Sequence, residues 1–324
     1  MQLIEITDQT IWDNFISSSP FGHPLQLWAW GEVKKKNGWT PLRLGVQVGD
    51  HLEVAVQVLL WNVPKTKKRL AYVPRGPVID PLSHDVPKLL HAIATTVKAQ
   101  GAIQLKIEPA WQGVALRHEW KKAKDHVLLA ETYCIDLQQD TDVLMSNIQS
   151  KARQYIRKSE REGVTIRRVM NRDELGEVMA VYQDTAERAK FALHSEEYYR
   201  ALLEKGSGHN YLLVAEKDGA MVAFVWILAA GPTAFELYGG MTREGAKLHA
   251  NYALKAHAMQ MMKAEGFVLY DFNGRLNDGV SHFKSLWGAT ETDWIGSYNL
   301  PLKKAQYTAW QIAWPIGKKL SKLI

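Results

Sequence analysis

The chain has 324 residues, 46% of them hydrophobic and 23% charged, with one cysteine, Cys134. That length predicts two domains, the composition excludes a disordered or fibrous chain, and a lone cysteine excludes an intramolecular disulfide or a thiolate metal cluster. The net charge of +6 is uneven: residues 1–137 hold 16 basic and 13 acidic side chains, residues 138–297 hold 19 and 21, and residues 298–324 hold five lysines and no acid, so most of the excess sits in a short tail.

In chain order, helices are expected at residues 9–17 and 27–37, strands at 42–48, 53–61 and 69–73, an amphipathic helix at 86–99 and a strand at 103–107. Cys134 lies in a further expected strand, 132–136, as a core residue. The second half begins with helices at 142–161, 173–189 and 195–204. Strands follow at 211–216 and 221–229 around an Asp218-Gly219 hairpin turn, then at 234–238, with a helix at 250–265 and a last strand at 267–272. Each half is thus three antiparallel strands, a helix and a strand, preceded by helices. The expected fold is α/β (α+β), two tandem domains that each carry a mixed, mostly antiparallel sheet flanked by helices. Residues 1–137 with 298–324 would form the first domain and 138–297 the second. The order of elements is similar to that of GNAT-type acyltransferases.

The N-terminal MQLIEITDQT lacks the basic-then-apolar pattern of a signal peptide, and the longest strongly apolar stretch, 220–230, falls short of the roughly 20 residues that span a bilayer. A cytoplasmic protein is expected. HExxH, CxxC, GxSxG and a Walker A loop are all absent. The stretches where a GNAT enzyme would cradle coenzyme A read Pro74-Arg75-Gly76-Pro77 and Gly239-Gly240-Met241-Thr242. Pro77 lacks a backbone N–H that such a cradle needs, so coenzyme A is a poor donor candidate, and no cofactor or metal is expected.

Four segments carry candidate chemistry. Trp30 and Lys34 share a helical face; Pro74 and Pro77 bracket a rigid turn with Arg75 at its tip; Arg153, Arg157 and Arg161 align on a basic helix; and Tyr270-Asp271-Phe272-Asn273-Gly274 is followed by Phe283-Lys284 and Trp287-Gly288. Together with Tyr238-Gly239-Gly240, and in this order, they resemble the Fem (FemABX) family of peptidoglycan-bridge aminoacyltransferases from about Trp12 to Leu300. The resemblance implies two GNAT-like domains, of the compact type without a helical arm. It implies an enzyme that moves an amino acid from aminoacyl-tRNA to the stem-peptide amine of a peptidoglycan precursor, either lipid II or its UDP-linked form.

Residue by residue, the resemblance places Lys34 at a precursor phosphate and His194 at the second phosphate contact, where the matched pattern has arginine. Histidine grips phosphate more weakly and with pH dependence, and His194 could instead cap the helix that starts near Ser195. Lys284 falls near the reaction centre, where an ammonium would stabilise the oxyanion formed as an amine attacks an ester carbonyl. Glu108 falls on the family's acidic position and could take the amine's proton. Tyr198, Tyr238, Phe283 and Arg75 would line the substrate groove, although the two tyrosines and Phe283 also fit simple packing roles. The Arg153, Arg157 and Arg161 face could meet tRNA phosphates or be an ordinary solvated helix face.

In the tail, Tyr307, Trp310 and Trp314 recur at helical spacing and Lys318, Lys319 and Lys322 interleave with leucines. Such a segment suits either peripheral contact with a membrane or docking on the first domain. Two other readings stay open: an N-acyltransferase using another acyl donor, and a non-catalytic membrane-surface binding protein on the same fold.

Overall fold

A computed structural model describes residues 1–49, 51–275 and 279–313. The chain forms two compact units, residues 1–130 with the chain from 293 onward, and residues 131–292.

The first unit is a seven-stranded sheet in the order Ile4–Glu5, Trp39–Val48, His51–Asn62, Arg69–Arg75, Ala102–Pro109, Tyr298–Pro301, Lys121–Lys122. The third and fourth strands of its repeat, Arg69–Arg75 and Ala102–Pro109, run parallel and stay paired along their whole length, from Arg69 to Arg75. Alternation along His51–Asn62 sends Val54, Val56, Val58 and Leu60 into a core completed by Leu89, Leu90, Ile93 and Val97 of the helix Val86–Ala99. The opposite face receives the helices Gln9–Ser18, capped by Asp8, and Trp28–Lys35. There Gln26 donates to the Pro74 carbonyl at 2.6 Å and accepts from the Gln57 amide at 2.7 Å, so a buried amide ties three elements together.

The second unit repeats the plan, in the order Thr290–Asp293, Glu131–Asp136, Leu269–Asp271, Thr233–Met241, Ala220–Ala230, Asn210–Lys217, Thr165–Arg168. Its core packs the sheet against the helix Ala250–Ala264 through Leu254, Ala258, Met259 and Met262. Asp218 and Gly219 turn the hairpin with φ of 51° and 79°, as their sequence predicts.

Four differences from the expected elements have clear causes. The division falls at 130/131 and 292/293 because Glu131–Asp136 pairs antiparallel with Leu269–Asp271 of the second sheet, while Tyr298–Pro301 returns to pair with Ala102–Pro109. The expected helix 142–161 is two, Thr141–Asn147 and Ser150–Arg161, separated by extended residues Ile148 and Gln149. The guanidinium of Arg153 donates to the Ser146 carbonyl at 2.7 Å and to that of Ile148, and the Gln149 amide donates to the Leu286 carbonyl; these bonds satisfy the break. Arg75 is not at an exposed tip: the strand runs through it, paired with Pro109, and leaves it 2% exposed. Short strands at 165–168, 290–293 and 298–301, and the helix Gly279–Ser285, are not among the expected elements because four- to seven-residue segments show no usable periodicity.

Candidate functional site

The two sheets differ where the third and fourth strands of the repeat run parallel. In the second unit only Thr233, Ala234 and Phe235 pair with Leu269, Tyr270 and Asp271. Beyond them Glu236 to Met241 pairs as a strand with Ala220–Ala230 only, among the described residues, and a cleft of about 870 Å³ opens along the free edge.

The sequence forces this divergence locally. The buried Asp271 carboxylate accepts from the Thr132 hydroxyl at 2.6 Å and the Asn273 amide at 2.8 Å, and the Gly274 amide donates to the Thr132 hydroxyl at 2.9 Å. Asn273 and Gly274 take φ of 56° and 96°, so the chain turns away from its neighbour. The same turn aims two carbonyls at one point. Lys284, from the helix Gly279–Ser285, donates its ammonium to the Gly274 carbonyl at 2.7 Å and to that of Asn273 at 3.3 Å. The Asp-Phe-x-Gly motif is thus the cradle that places Lys284 in the cleft wall. Phe283 packs edge-on against Tyr252 and Trp287, with ring centroids 5.0 and 5.6 Å away, while also lining the cleft.

A β-bulge at Leu237, between the pairs Trp226↔Tyr238 and Ile227↔Glu236, reverses the alternation of the strand. Tyr238 therefore joins the face of Tyr182, Tyr199 and Trp226, where its hydroxyl lies 3.1 Å from that of Tyr198. Burial raises the pKa of both tyrosines, so both stay neutral hydrogen-bonding groups. The His194 ring lies 4.1 Å from the Tyr198 ring. His194 is not the helix cap: Ser195 occupies that position, and the His194 amide donates to the Tyr199 hydroxyl at 3.2 Å.

Glu236 faces the other way. Its Oε2 accepts from the Tyr270 hydroxyl at 2.9 Å and from the Lys255 ammonium, and both Glu236 and Lys255 line the cleft. Burial pulls the Lys255 ammonium below its usual pKa, against the opposing pull of Glu236. Sequence reasoning missed this pair, yet a signal was present: Lys255 interrupts the apolar stripe continued by Ala258, Met259 and Met262.

The glycines of Tyr238-Gly239-Gly240 do not form a phosphate cradle. They sit in the ladder opposite Val225 and Phe224, and a Cβ on Gly240 would come within 2.7 Å of the Thr185 hydroxyl and 2.9 Å of the Phe224 ring. Gly240 is small so that the helix Leu175–Ala189 can approach the strand.

The first unit holds Lys34, Arg75 and Glu108. Lys34 is half-buried with its ammonium 4.5 Å from the centre of the Trp30 ring, and burial lowers its pKa to about 8. Glu108 is 1% exposed and accepts four bonds: from the Tyr72 hydroxyl at 2.6 Å, the Val127 amide at 2.8 Å, the Leu128 amide at 2.9 Å and the Ser297 hydroxyl. Arg75 donates to the Leu129 carbonyl at 2.9 Å. Both expected site residues therefore converge on residues 127–129. With these four donors the Glu108 carboxylate ties residues 127 and 128 to the sheet.

On the basic helix, Arg157 and Arg161 are exposed, whereas Arg153 is half-buried on the carbonyls described above. The helix Lys304–Ala313 buries Tyr307 and sets the Trp310 ring 6.3 Å from that of Trp61, so Trp310 packs on the first unit. Trp314, Lys318, Lys319 and Lys322 lie outside the described residues. Among the described residues no helix is long and apolar enough to cross a membrane.

Residues 146–285 match the acetyltransferase (GNAT) domain, and residues 7–128 match the FemAB family. The chain is 23% identical to the lipid II:glycine glycyltransferases of Staphylococcus aureus strains MRSA252 and USA300, over 95% of its own length and 94% of theirs. A crystal structure of FemX superposes with a TM-score of 0.86 at 21% identity, covering 95% of this chain and 99% of that one. The C-terminal domain of a putative lysylphosphatidylglycerol synthetase from Agrobacterium fabrum shares the fold with a TM-score of 0.62 at 12% identity, covering 94% of each chain. Fold and cleft together define an acyltransferase built from tandem GNAT-type units. Within that class the chain is an aminoacyltransferase, similar to the FemAB family over residues 7–128 and to the glycyltransferases over nearly its whole length.

Proposed function

We propose that this protein transfers an amino acid from aminoacyl-tRNA to the stem-peptide amine of a peptidoglycan precursor; the name of its Staphylococcus aureus relatives, lipid II:glycine glycyltransferase, supports the transfer of an amino acid in peptidoglycan assembly. The observation that carries the reading is Lys284, held by the carbonyls of Asn273 and Gly274 in the wall of the cleft that opens beside Glu236 to Met241. The acceptor amine attacks the ester carbonyl; an N–C bond forms and the ester C–O bond breaks. The charge that develops on the carbonyl oxygen meets the Lys284 ammonium, and the amine's proton leaves with the ribose oxygen or with water. Lys34, an ammonium whose burial costs energy, would bind a precursor phosphate that stabilises its charge. The exposed Arg157 and Arg161 would meet tRNA phosphates.

The test is a mass-shift assay. Purified protein is incubated with a pool of charged tRNAs and either UDP-linked or lipid-linked muropeptide. Gain of one amino-acid residue on either acceptor, abolished by omitting the tRNA, is the expected result and also identifies donor and acceptor. No gain on either, with the tRNA still charged, refutes the reading.

A further inference from the structure

The cleft holds a carboxylate to which neither the expected chemistry nor the relatives' names assign a role. Glu236 stands on the free edge of its strand, and the two bonds it accepts, from Lys255 and Tyr270, both fall on Oε2. Oε1 accepts none among the described residues. Beside it is space rather than a side chain: a Cβ on Gly239 would lie 3.8 Å from Oε1.

Two features distinguish this carboxylate from a packing residue or a base. An ammonium and a phenol both donate to one oxygen, which fixes the carboxylate's orientation and leaves its second oxygen as an acceptor for a cationic donor. A buried ion pair also adds little to stability compared with apolar side chains of similar volume. Lys255 lies on the core stripe of the helix Ala250–Ala264, where Leu or Met would fit the pattern, and it holds a carboxylate in place at the cleft wall.

We propose that Glu236 is the specificity-determining residue of the cleft, its Oε1 binding the protonated α-amino group of the donor's aminoacyl ester. This inference rests on the proposed transfer reaction and adds to it the chemical feature by which the donor is chosen. The room left by Gly239 suits a small charged group. An acyl donor without an α-ammonium would leave Oε1 facing the cleft with no partner, and the enzyme would reject it.

The experiment compares two forms of one donor pool: charged tRNA, and the same tRNA treated with nitrous acid, which replaces the α-ammonium by a hydroxyl of nearly equal size. Initial rates of mass gain on the muropeptide acceptor are measured at subsaturating donor. Wild-type protein should prefer the aminoacyl form by at least about tenfold, the scale of one lost charged contact. Glu236→Gln should reduce aminoacyl transfer by at least about tenfold and change hydroxyacyl transfer less than about threefold, which erases the preference. Because Glu236→Gln leaves the Lys255 ammonium without its counter-charge, Glu236→Gln/Lys255→Met is measured alongside, with thermal unfolding of each protein, and should lose the preference equally. Equal use of both donors by the wild type overturns this inference and leaves the transfer reaction standing. So does an equal loss of both rates in the double variant with its melting temperature unchanged. A wild type inactive with both donors overturns the transfer reaction itself, and this inference with it.

Discussion

Lys34→Met separates the chemistry of Lys34 from its packing. Burial lowers the ammonium from 10.5 to about 8, and at about 1.4 kcal/mol per tenfold change in proton affinity this corresponds to a folding penalty of about 3 kcal/mol at neutral pH. The Trp30 ring, 4.5 Å away, offsets about 1 kcal/mol of it through its attraction for the cation. Methionine keeps the apolar stem and removes the charge, so the variant should be more stable than wild type by about 2 kcal/mol at pH 7, or roughly 4–8 °C in a unit of this size. The pH dependence is the sharper test. The folded pKa lies below the unfolded one, so between about pH 8 and 10.5 the unfolded chain binds more protons, and wild-type stability rises relative to the variant. The advantage of Lys34→Met should be full below pH 8 and vanish above pH 10.5. Thermal or urea unfolding of both proteins at several pH values measures it. A variant no more stable than wild type at pH 7, or a difference constant with pH, refutes the reasoning. Weaker binding of the muropeptide acceptor by the same variant would connect the tolerated penalty to the proposed phosphate contact.

Other predictions concern the cleft and its supports. Lys284→Ala should lower kcat for aminoacyl transfer by about 10²–10³, the loss typical of one oxyanion donor, and cost about 1–2 kcal/mol through its lost carbonyl bonds, and Lys284→Arg should restore part of the rate; a rate within threefold of wild type would remove Lys284 from the reaction. Glu108→Gln should destabilise by about 3 kcal/mol, because four donors lose an ionised acceptor; a hundredfold fall in kcat with an unchanged melting temperature would instead make Glu108 the base. Gly288→Ala should cost more than about 3 kcal/mol, since φ is +70° and the new Cβ would lie 2.7 Å from the Asn147 carbonyl oxygen. Gly296→Ala, at φ +85° but with its nearest neighbour at 3.5 Å, should cost only about 1–2 kcal/mol; equal losses in unfolding assays would show that backbone conformation alone decides both. Arg153→Ala should destabilise by about 1–2 kcal/mol through its lost carbonyl contacts, whereas Arg157→Ala should leave stability unchanged and reduce the salt dependence of tRNA binding by about one charge.

The repeat was legible in the sequence because the main strands and helices are long enough for period-2 and period-3.6 patterns to stand out, and because Asp218-Gly219 has the chemistry of its turn. The ordered motifs carried the family, and the Asp-Phe-x-Gly and Phe-Lys segments marked the place where Lys284 is held. What the sequence left open depends on contacts between distant residues. Glu108 looks like a free carboxylate at a strand end until Tyr72, Val127, Leu128 and Ser297 occupy it. Arg75 looks like a turn tip until parallel pairing carries the strand through it. The splay of the second sheet, the bulge at Leu237 that sends Glu236 and Tyr238 to opposite faces, and the Glu236–Lys255 pair exist only once four strands and a helix have met. Local pattern determined which elements form and in what order. Hydrogen-bond partners as far apart in the chain as Thr132 and Asp271 decided which polar groups remain open to a substrate, because a side chain's charge and reach are encoded locally and its partners are not.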